Sequence, residues 1–227
     1  MNAPIVAPLV VAVDGPSGSG KSSTARGVAR RLGLAYLDTG AMYRAVTWAL
    51  IQRGVDLHDP RAVEIAAEDI KLQSGTDPSN PTIEADGVDV SEPIRGSEVT
   101  SHVSLVAAVA GVRALLVQVQ RSAIADAVDG IVVEGRDIGT VVVPEAPVKV
   151  FLVADAQARA RRRASELGHT DADATQVDLA RRDQLDSSRT VSPLTKAPDA
   201  VEIDGTDLSL DEVIDAVAAL VEEARAR

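Results

Sequence analysis

Residues 9–14 (L-V-V-A-V-D) form a continuous apolar run ended by Gly15, the pattern of a strand buried on both faces rather than on one. Lys21 to Leu32 then reads as a helix stopped by Gly33. A short strand follows around Ala35 to Leu37, and Ala41 to Arg53 reads as a second helix with Gly54 as its stop. Further buried strands are expected at Ile131 to Val133, Lys149 to Val153 and Val201 to Ile203. The last helix opens at Ser209, where Glu212 three residues on completes a capping box. Strands alternating with helices in this way predict an α/β domain: a parallel sheet covered by helices on both faces.

Residues 68–110 break that rhythm. Turn signals recur every few residues between short alternating runs, and Asp86-Gly87 between Thr82–Ala85 and Val88–Val90 is a hairpin signal. This stretch reads as a small antiparallel sheet followed by helical sequence from Ser97, inserted into a core formed by residues 1–67 and 111–227. Gly168 to Thr175 is polar and is expected to be mobile.

The length of 227 residues fits one compact domain with a modest insertion, and a hydrophobic fraction of 45% supplies a core. The absence of cysteine excludes disulfides and thiolate chemistry, and His58, His102 and His169 lack metal-ligand spacing. No apolar run approaches a membrane span, and the start lacks a signal-peptide pattern, so a soluble, cytoplasmic protein is expected. A net charge of −11 argues against nucleic acid or a membrane surface as partner.

Of 23 basic residues only four are lysine, a bias that a G+C-rich genome produces by itself. Their placement carries more. Arg159, Arg161, Arg162 and Arg163 form one cluster and Arg181, Arg182 and Arg189 another, which suits bidentate docking of a small anion.

The strongest local signal is G-P-S-G-S-G-K-S, made of Gly15, Pro16, Ser17, Gly18, Ser19, Gly20, Lys21 and Ser22, with Ser23 following. It matches the P-loop pattern in full, directly after a buried strand and at the start of a helix. Glycines allow successive backbone N–H groups to face phosphate oxygens, and the helix adds its positive dipole end. Lys21 is expected to reach the β- and γ-phosphates of ATP and Ser22 to ligate Mg²⁺.

A GTPase would need an N-K-x-D motif, which does not occur. Glu134, closing the strand Ile131–Val133, fits two readings equally: orienting the metal's water shell, or a plain strand-end carboxylate. The acceptor is bounded by chemistry. An alcohol requires a base, and Asp38 is the one well-placed candidate. A phosphate acceptor, with a second pKa of about 6, is already a dianion and needs arginines instead. The abundance of arginine favours the phosphate.

Four stretches carry a resemblance to the bacterial cytidylate kinase family of nucleoside monophosphate kinases: Val13–Ser23, Leu37–Arg44, Glu134–Ala146 (E-G-R-D-I-G-T-V-V-V-P-E-A) and Arg182–Leu194 (R-D-Q-L-D-S-S-R-T-V-S-P-L). The resemblance spans nearly the whole chain. It implies a P-loop kinase fold with a five-stranded parallel sheet, residues 68–110 as an inserted α+β monophosphate-binding domain, and a short lid at about 157–172. It further implies ATP-dependent phosphorylation of CMP and dCMP in pyrimidine nucleotide metabolism.

By the same resemblance, Arg44, Arg136 and Arg189 grip the acceptor phosphate, while Arg182 and Asp186 contact the ribose. Ser104, Arg113 and Asp137 read the base. Thr39 stands at a position commonly Ser or Thr, and Tyr43 packs beside the pocket. A carboxylate at Asp137 accepts from the cytosine amino group, where uracil presents a repelling carbonyl.

Arg159, Arg162 and Arg163 share one helix face by spacing and resemble lid arginines that close over ATP, leaving Arg161 as solvated surface. Asp204 to Ser209 resembles a loop that holds adenine. Gln184 and Leu185 depart from relatives that carry further charges there. A monomer is the expectation. Two alternatives stay open: a small-metabolite kinase acting on an alcohol through Asp38, and a silent nucleotide-binding regulator.

Overall fold

Alternate residues of the first strand, β1 (Val10–Asp14), enter two different hydrophobic layers, so the strand can only be central. Val10 and Ala12 pack to one side and Val11 and Val13 to the other, all at most 4% exposed. Each of the three valines contributes about 1.5–3 kcal/mol by leaving water. The computed structural model describes residues 8–167 and 172–226.

β1 pairs in parallel with β6 (Ile131–Gly135) and β7 (Val148–Val153). Beyond these lie β2 (Ala35–Asp38) and β8 (Val201–Asp204), giving a five-stranded parallel sheet in the order β2-β6-β1-β7-β8. Helices α1 (Lys21–Leu32) and α8 (Leu210–Arg225) cover one face, and α2 (Thr39–Gln52) and α5 (Ala110–Ala125) the other. The α/β expectation and the five strands are both present.

Local signals explain most boundaries. α1 ends on Gly33 at φ 67, α2 starts on Asp38, which accepts the Ala41 N–H at 2.9 Å, and the Ser209–Glu212 capping box is formed in full. α3 (Pro60–Glu68) was not anticipated, although Asp59 caps it and Pro60 occupies its first turn.

A second, antiparallel sheet joins β3 (Leu72–Ser74), β4 (Ile83–Ala85) and β5 (Val88–Asp89). Its hairpin turns on Asp86 (φ 53) and Gly87 (φ 79), the left-handed pair that an Asp-Gly signal announces. A 3₁₀ turn (Pro93–Arg95) and α4 (Ser97–Val106) complete this region.

After β6 the chain makes a π-helical turn (Ile138–Val142) that no local pattern foretold. Buried Asp14 accepts the N–H groups of Ile138 and Gly139 at 2.9 and 2.8 Å, and Arg121 donates to the carbonyls of Val142 and Val141 at 2.9 and 2.8 Å. These bonds fix Arg136 and Asp137 immediately before the turn.

α6 (Ala156–Leu167) and α7 (Ala172–Ser187) pack together ahead of β8. Residues 168–171 of the expected lid, and of the stretch expected to be mobile, lie outside the described residues; from Ala172 onward that stretch opens α7. No single helix among the described residues is long and apolar enough to cross a membrane.

Candidate active site

Gly15, Gly18 and Gly20 hold φ values of 156, 75 and 92 between the carboxyl end of β1 and the start of α1. A Cβ on Gly15 would stand 2.2 Å from the Leu152 carbonyl oxygen, so the loop cannot take a side chain there. Gly20 caps α1 without a side-chain acceptor, which leaves the first-turn N–H groups of the helix facing the loop. Lys21 lies back over this cradle, its Nζ donating to the Pro16 carbonyl at 3.3 Å. Enclosure first, then the charge of Arg136, pushes its ammonium down to about 7, against the pull of Glu134 and Asp38. A polyphosphate beside it would restore the charge.

Ser22, one residue on, donates through Oγ to Glu134 Oε2 at 2.7 Å. The other oxygen of Glu134 accepts from the Tyr36 hydroxyl. Burial and the neighbouring Asp38 push Glu134 up to about 7, with Lys21, Tyr36 and Ser22 opposing. Glu134 is thus bonded to the residue expected to ligate the metal. Serine hydroxyl and carboxylate oxygens are hard donors suited to Mg²⁺, which completes its shell with water and substrate phosphate. Among the described residues no three His, Cys, Asp or Glu side chains are grouped to hold a metal without such help.

The loop opens onto a cleft lined by Ser17, Gly18, Gly20, Lys21, Ser22, Ser23, Thr39, Tyr43, Arg44, Ser104, Arg113, Arg136, Asp137, Arg163, Arg182, Asp186 and Arg189. Arg95, which the sequence reading did not single out, also lines it, as do Asp38 and Glu134. Seven arginines and Lys21 thus face four carboxylates, in a chain whose net charge is −11. Among the described residues, Nε of Arg113, Nε of Arg182 and Nη2 of Arg189 are buried without a hydrogen-bond partner. Unpaired buried donors of this kind are costly unless an anion or acceptor meets them.

The arginines are themselves positioned. Arg44 donates to Thr100 Oγ1 at 2.8 Å and to the Ile94 carbonyl at 3.2 Å; burial and the charges of Arg182 and Arg163 push it down to about 9. Burial also pushes Arg182 and Arg189 down. Arg136 joins both halves of the cleft, donating through Nε to Asp186 at 2.8 Å and through Nη1 to the Gly15 carbonyl at 2.9 Å. Burial works to raise Asp186, yet Arg136, Arg189 and Arg182 together hold it below the usual carboxylate range.

Deeper in the cleft, Arg113 donates through Nη2 to Asp137 and lies over the Tyr43 ring at 5.2 Å. Thr39 donates to the Glu134 carbonyl at 2.7 Å, which turns its hydroxyl away from a purely ligand-facing role. Asp38 lines the cleft while it caps α2.

The three arginines of α6 expected to share one face divide. Arg163 faces the main cleft, whereas Arg159 and Arg162 sit on the loop itself, donating to the carbonyls of Ser17 (3.1 Å) and Ser19 (3.2 Å). Arg159 is also paired with Asp183, which accepts the Ser17 N–H at 3.2 Å. Asp183 lies inside the Arg182–Leu194 stretch, but no role was assigned to it there. Arg161 is exposed, in line with its reading as surface, and borders a second hollow with Arg162, Leu208, Leu210 and Val213 at the end of the loop following β8.

A glycine loop at the carboxyl end of the central strand of a parallel sheet, facing an arginine-rich cleft, is the arrangement of a P-loop phosphotransferase. Comparison with known proteins narrows this class. A family model described as Cytidylate kinase matches residues 11–223. A protein of Streptomyces coelicolor named Cytidylate kinase is 58% identical over 224 residues, covering 99% of this chain and 97% of the relative. One of Streptomyces avermitilis with the same name is 56% identical over 218 residues, covering 96% and 94%. A crystal structure of an uncharacterized protein from Eubacterium ventriosum matches with a TM-score of 0.50 at 11% identity, covering 94% of this chain and 98% of that one, and speaks to the fold alone. The chain belongs to the cytidylate kinase family and is a nucleoside monophosphate kinase.

Proposed function

We propose that this chain transfers the γ-phosphoryl group of ATP to CMP and dCMP, yielding ADP with CDP or dCDP. The observation that carries this reading is a cleft that Lys21 and Asp137 share with Arg113, Arg182 and Arg189, each of which has a buried donor nitrogen without a hydrogen-bond partner. The glycine loop and the first turn of α1 hold the donor phosphates. Arg44, Arg136 and Arg189 hold the acceptor phosphate as a dianion, Arg182 and Asp186 the ribose. Ser104, Arg113 and Asp137 face the base, where the carboxylate accepts from the cytosine amino group.

An acceptor phosphate oxygen forms the new P–O bond as the bond from the γ-phosphorus to the β-phosphate oxygen breaks, and ADP leaves. No side chain need take a proton, because the acceptor is already ionised. Lys21, Arg163 and the loop N–H groups balance charge on the transferring group. Mg²⁺, held at Ser22 and through water at Glu134, would neutralise charge on the β- and γ-phosphates.

Arg159 and Arg162 act on the loop's shape rather than on the nucleotide directly. Residues 68–110 serve as the inserted domain that brings Arg95 and Ser104 over the acceptor, and residues from about 157 to 172 as the lid. The second hollow, with Leu208 and Leu210, suits the adenine. We read the chain as a cytoplasmic monomer.

An ADP-release assay across CMP, dCMP, UMP, AMP and shikimate tests the assignment. Turnover with CMP and dCMP well above the ATP-only rate supports it. Turnover confined to shikimate, abolished in Asp38→Asn, would favour an alcohol acceptor instead.

A further inference from the structure

Glu134 is 2% exposed and accepts a hydrogen bond from Ser22 in the first turn of α1. What holds it there is not on the loop. The parallel register sets Tyr36 of β2 beside Val132 of β6, and Asp38 beside Glu134. Tyr36 and Val132 pack into the same layer beneath α1, and Glu134, two residues beyond Val132, is on that face by alternation. The phenol of Tyr36, itself 2% exposed, therefore runs along the face and donates to Glu134 Oε1, while Ser22 donates to Oε2.

Tyr36 is fixed from outside as well. Its backbone N–H donates to the Thr76 carbonyl at 2.9 Å, and Arg26 of α1 reaches the adjoining Pro78 carbonyl at 3.0 Å. The edge strand is thereby clamped between the sheet and residues 76–78. Burial, then the negative charges of Glu134 and Asp38, push the phenol far up, so it stays a donor. Without it, a buried carboxylate next to Asp38 would keep only the Ser22 hydroxyl and be free to turn toward Lys21.

We infer that Tyr36 is a positioning residue for the metal-bearing donor site: it fixes Glu134 so that the carboxylate meets Ser22 and the water shell of the cation bound with ATP. This inference rests on the functional reading above. Outer-shell partners of metal ligands typically change metal affinity about 10- to 100-fold when removed.

The test compares ATP affinity with Mg²⁺ and in EDTA, by calorimetry on full-length wild type and Tyr36→Phe. The expected result is a loss of about tenfold or more in Mg²⁺–ATP affinity, with metal-free ATP affinity unchanged and the Mg²⁺ midpoint for turnover raised. Equal losses with and without metal, or no loss in either, would overturn the inference, because a hydroxyl that only fills the core gives no metal-specific effect. Wild type that binds ATP no better with Mg²⁺ would instead sink the metal part of the functional reading, and the inference with it.

A second measurement needs no substitution at Tyr36. The chain has two tyrosines, so fluorotyrosine labelling gives two ¹⁹F resonances, assigned with Tyr43→Phe. The Tyr36 resonance is expected to move with Mg²⁺–ATP and stay in place with metal-free ATP. An unmoved resonance, or the same movement in both, would count against the inference.

Discussion

The carboxylate of Asp183 on α7 accepts the backbone N–H of Ser17 in the phosphate loop at 3.2 Å. The Ser17 carbonyl is held at the same time by Arg159, which is paired to that same carboxylate. One loop residue is thus gripped on both its backbone groups by two helices. Arg182 and Asp186, beside Asp183 on α7, line the acceptor side of the cleft. The donor loop and the acceptor site therefore share a support. Asp183→Ala is expected to lower kcat/KM for ATP about 10- to 100-fold, since small misplacements of reacting groups carry such costs. The affinity for CMP measured alone should stay within about threefold. Steady-state kinetics with calorimetry check this, and an unchanged kcat/KM for ATP would refute the role of Asp183.

Arg113 and Asp137 form a buried ion pair, with side chains 3% and 7% exposed. Deleting one member strands the other, which typically costs about 3–5 kcal/mol of stability. Asp137→Asn removes the charge but keeps an oxygen that accepts from Arg113, so it disturbs the pair less than truncation and is the better probe of recognition. It should raise the KM for CMP about 10- to 100-fold, in line with about 1–3 kcal/mol per base contact, and leave ATP binding within about threefold. Its preference for CMP over UMP should shrink as well. Equal losses for both nucleotides, measured by titration calorimetry, would remove Asp137 from base reading.

Where the sequence carried the answer, the signal was local. The strand, glycine loop and helix of residues 10–32, the Asp86-Gly87 hairpin and the Ser209 cap each depend on residues a few positions apart, and each formed as read. The start of α3 is equally local, with Asp59 as its cap and Pro60 in its first turn. The π-helical turn at Ile138–Val142 depends on Asp14, more than a hundred residues away, and no periodicity encodes it. Tyr36 meets Glu134 only through the parallel register, and Asp183 meets Ser17 only through helix packing. The spacing of Arg159, Arg162 and Arg163 gave a shared face, but not that two of them would bond to loop carbonyls.

Asp14 makes a pH prediction with a definite sign. Burial pushes its carboxyl up to about 6 despite two N–H donors from Ile138 and Gly139. The folded state therefore binds more protons than the unfolded chain between roughly pH 4 and pH 6. Stability from this group is greatest at low pH and declines as pH rises through that window. Relative to Asp14→Asn, wild type should lose about 1 kcal/mol between pH 5 and pH 7.5. Urea denaturation of both proteins at the two pH values measures the difference, and a difference that grows with pH would contradict the assignment.

The fate of one phosphoryl group, followed by ³¹P NMR in a mixture of ATP, Mg²⁺, CMP and enzyme, is the most direct test of the proposed transfer. CDP and ADP are expected in equal amounts, and Lys21→Ala, still folded by circular dichroism, should slow their appearance at least a thousandfold, on the order of 4 kcal/mol in the barrier. ADP accompanied by inorganic phosphate without CDP, or near-normal turnover in Lys21→Ala, would contradict that transfer.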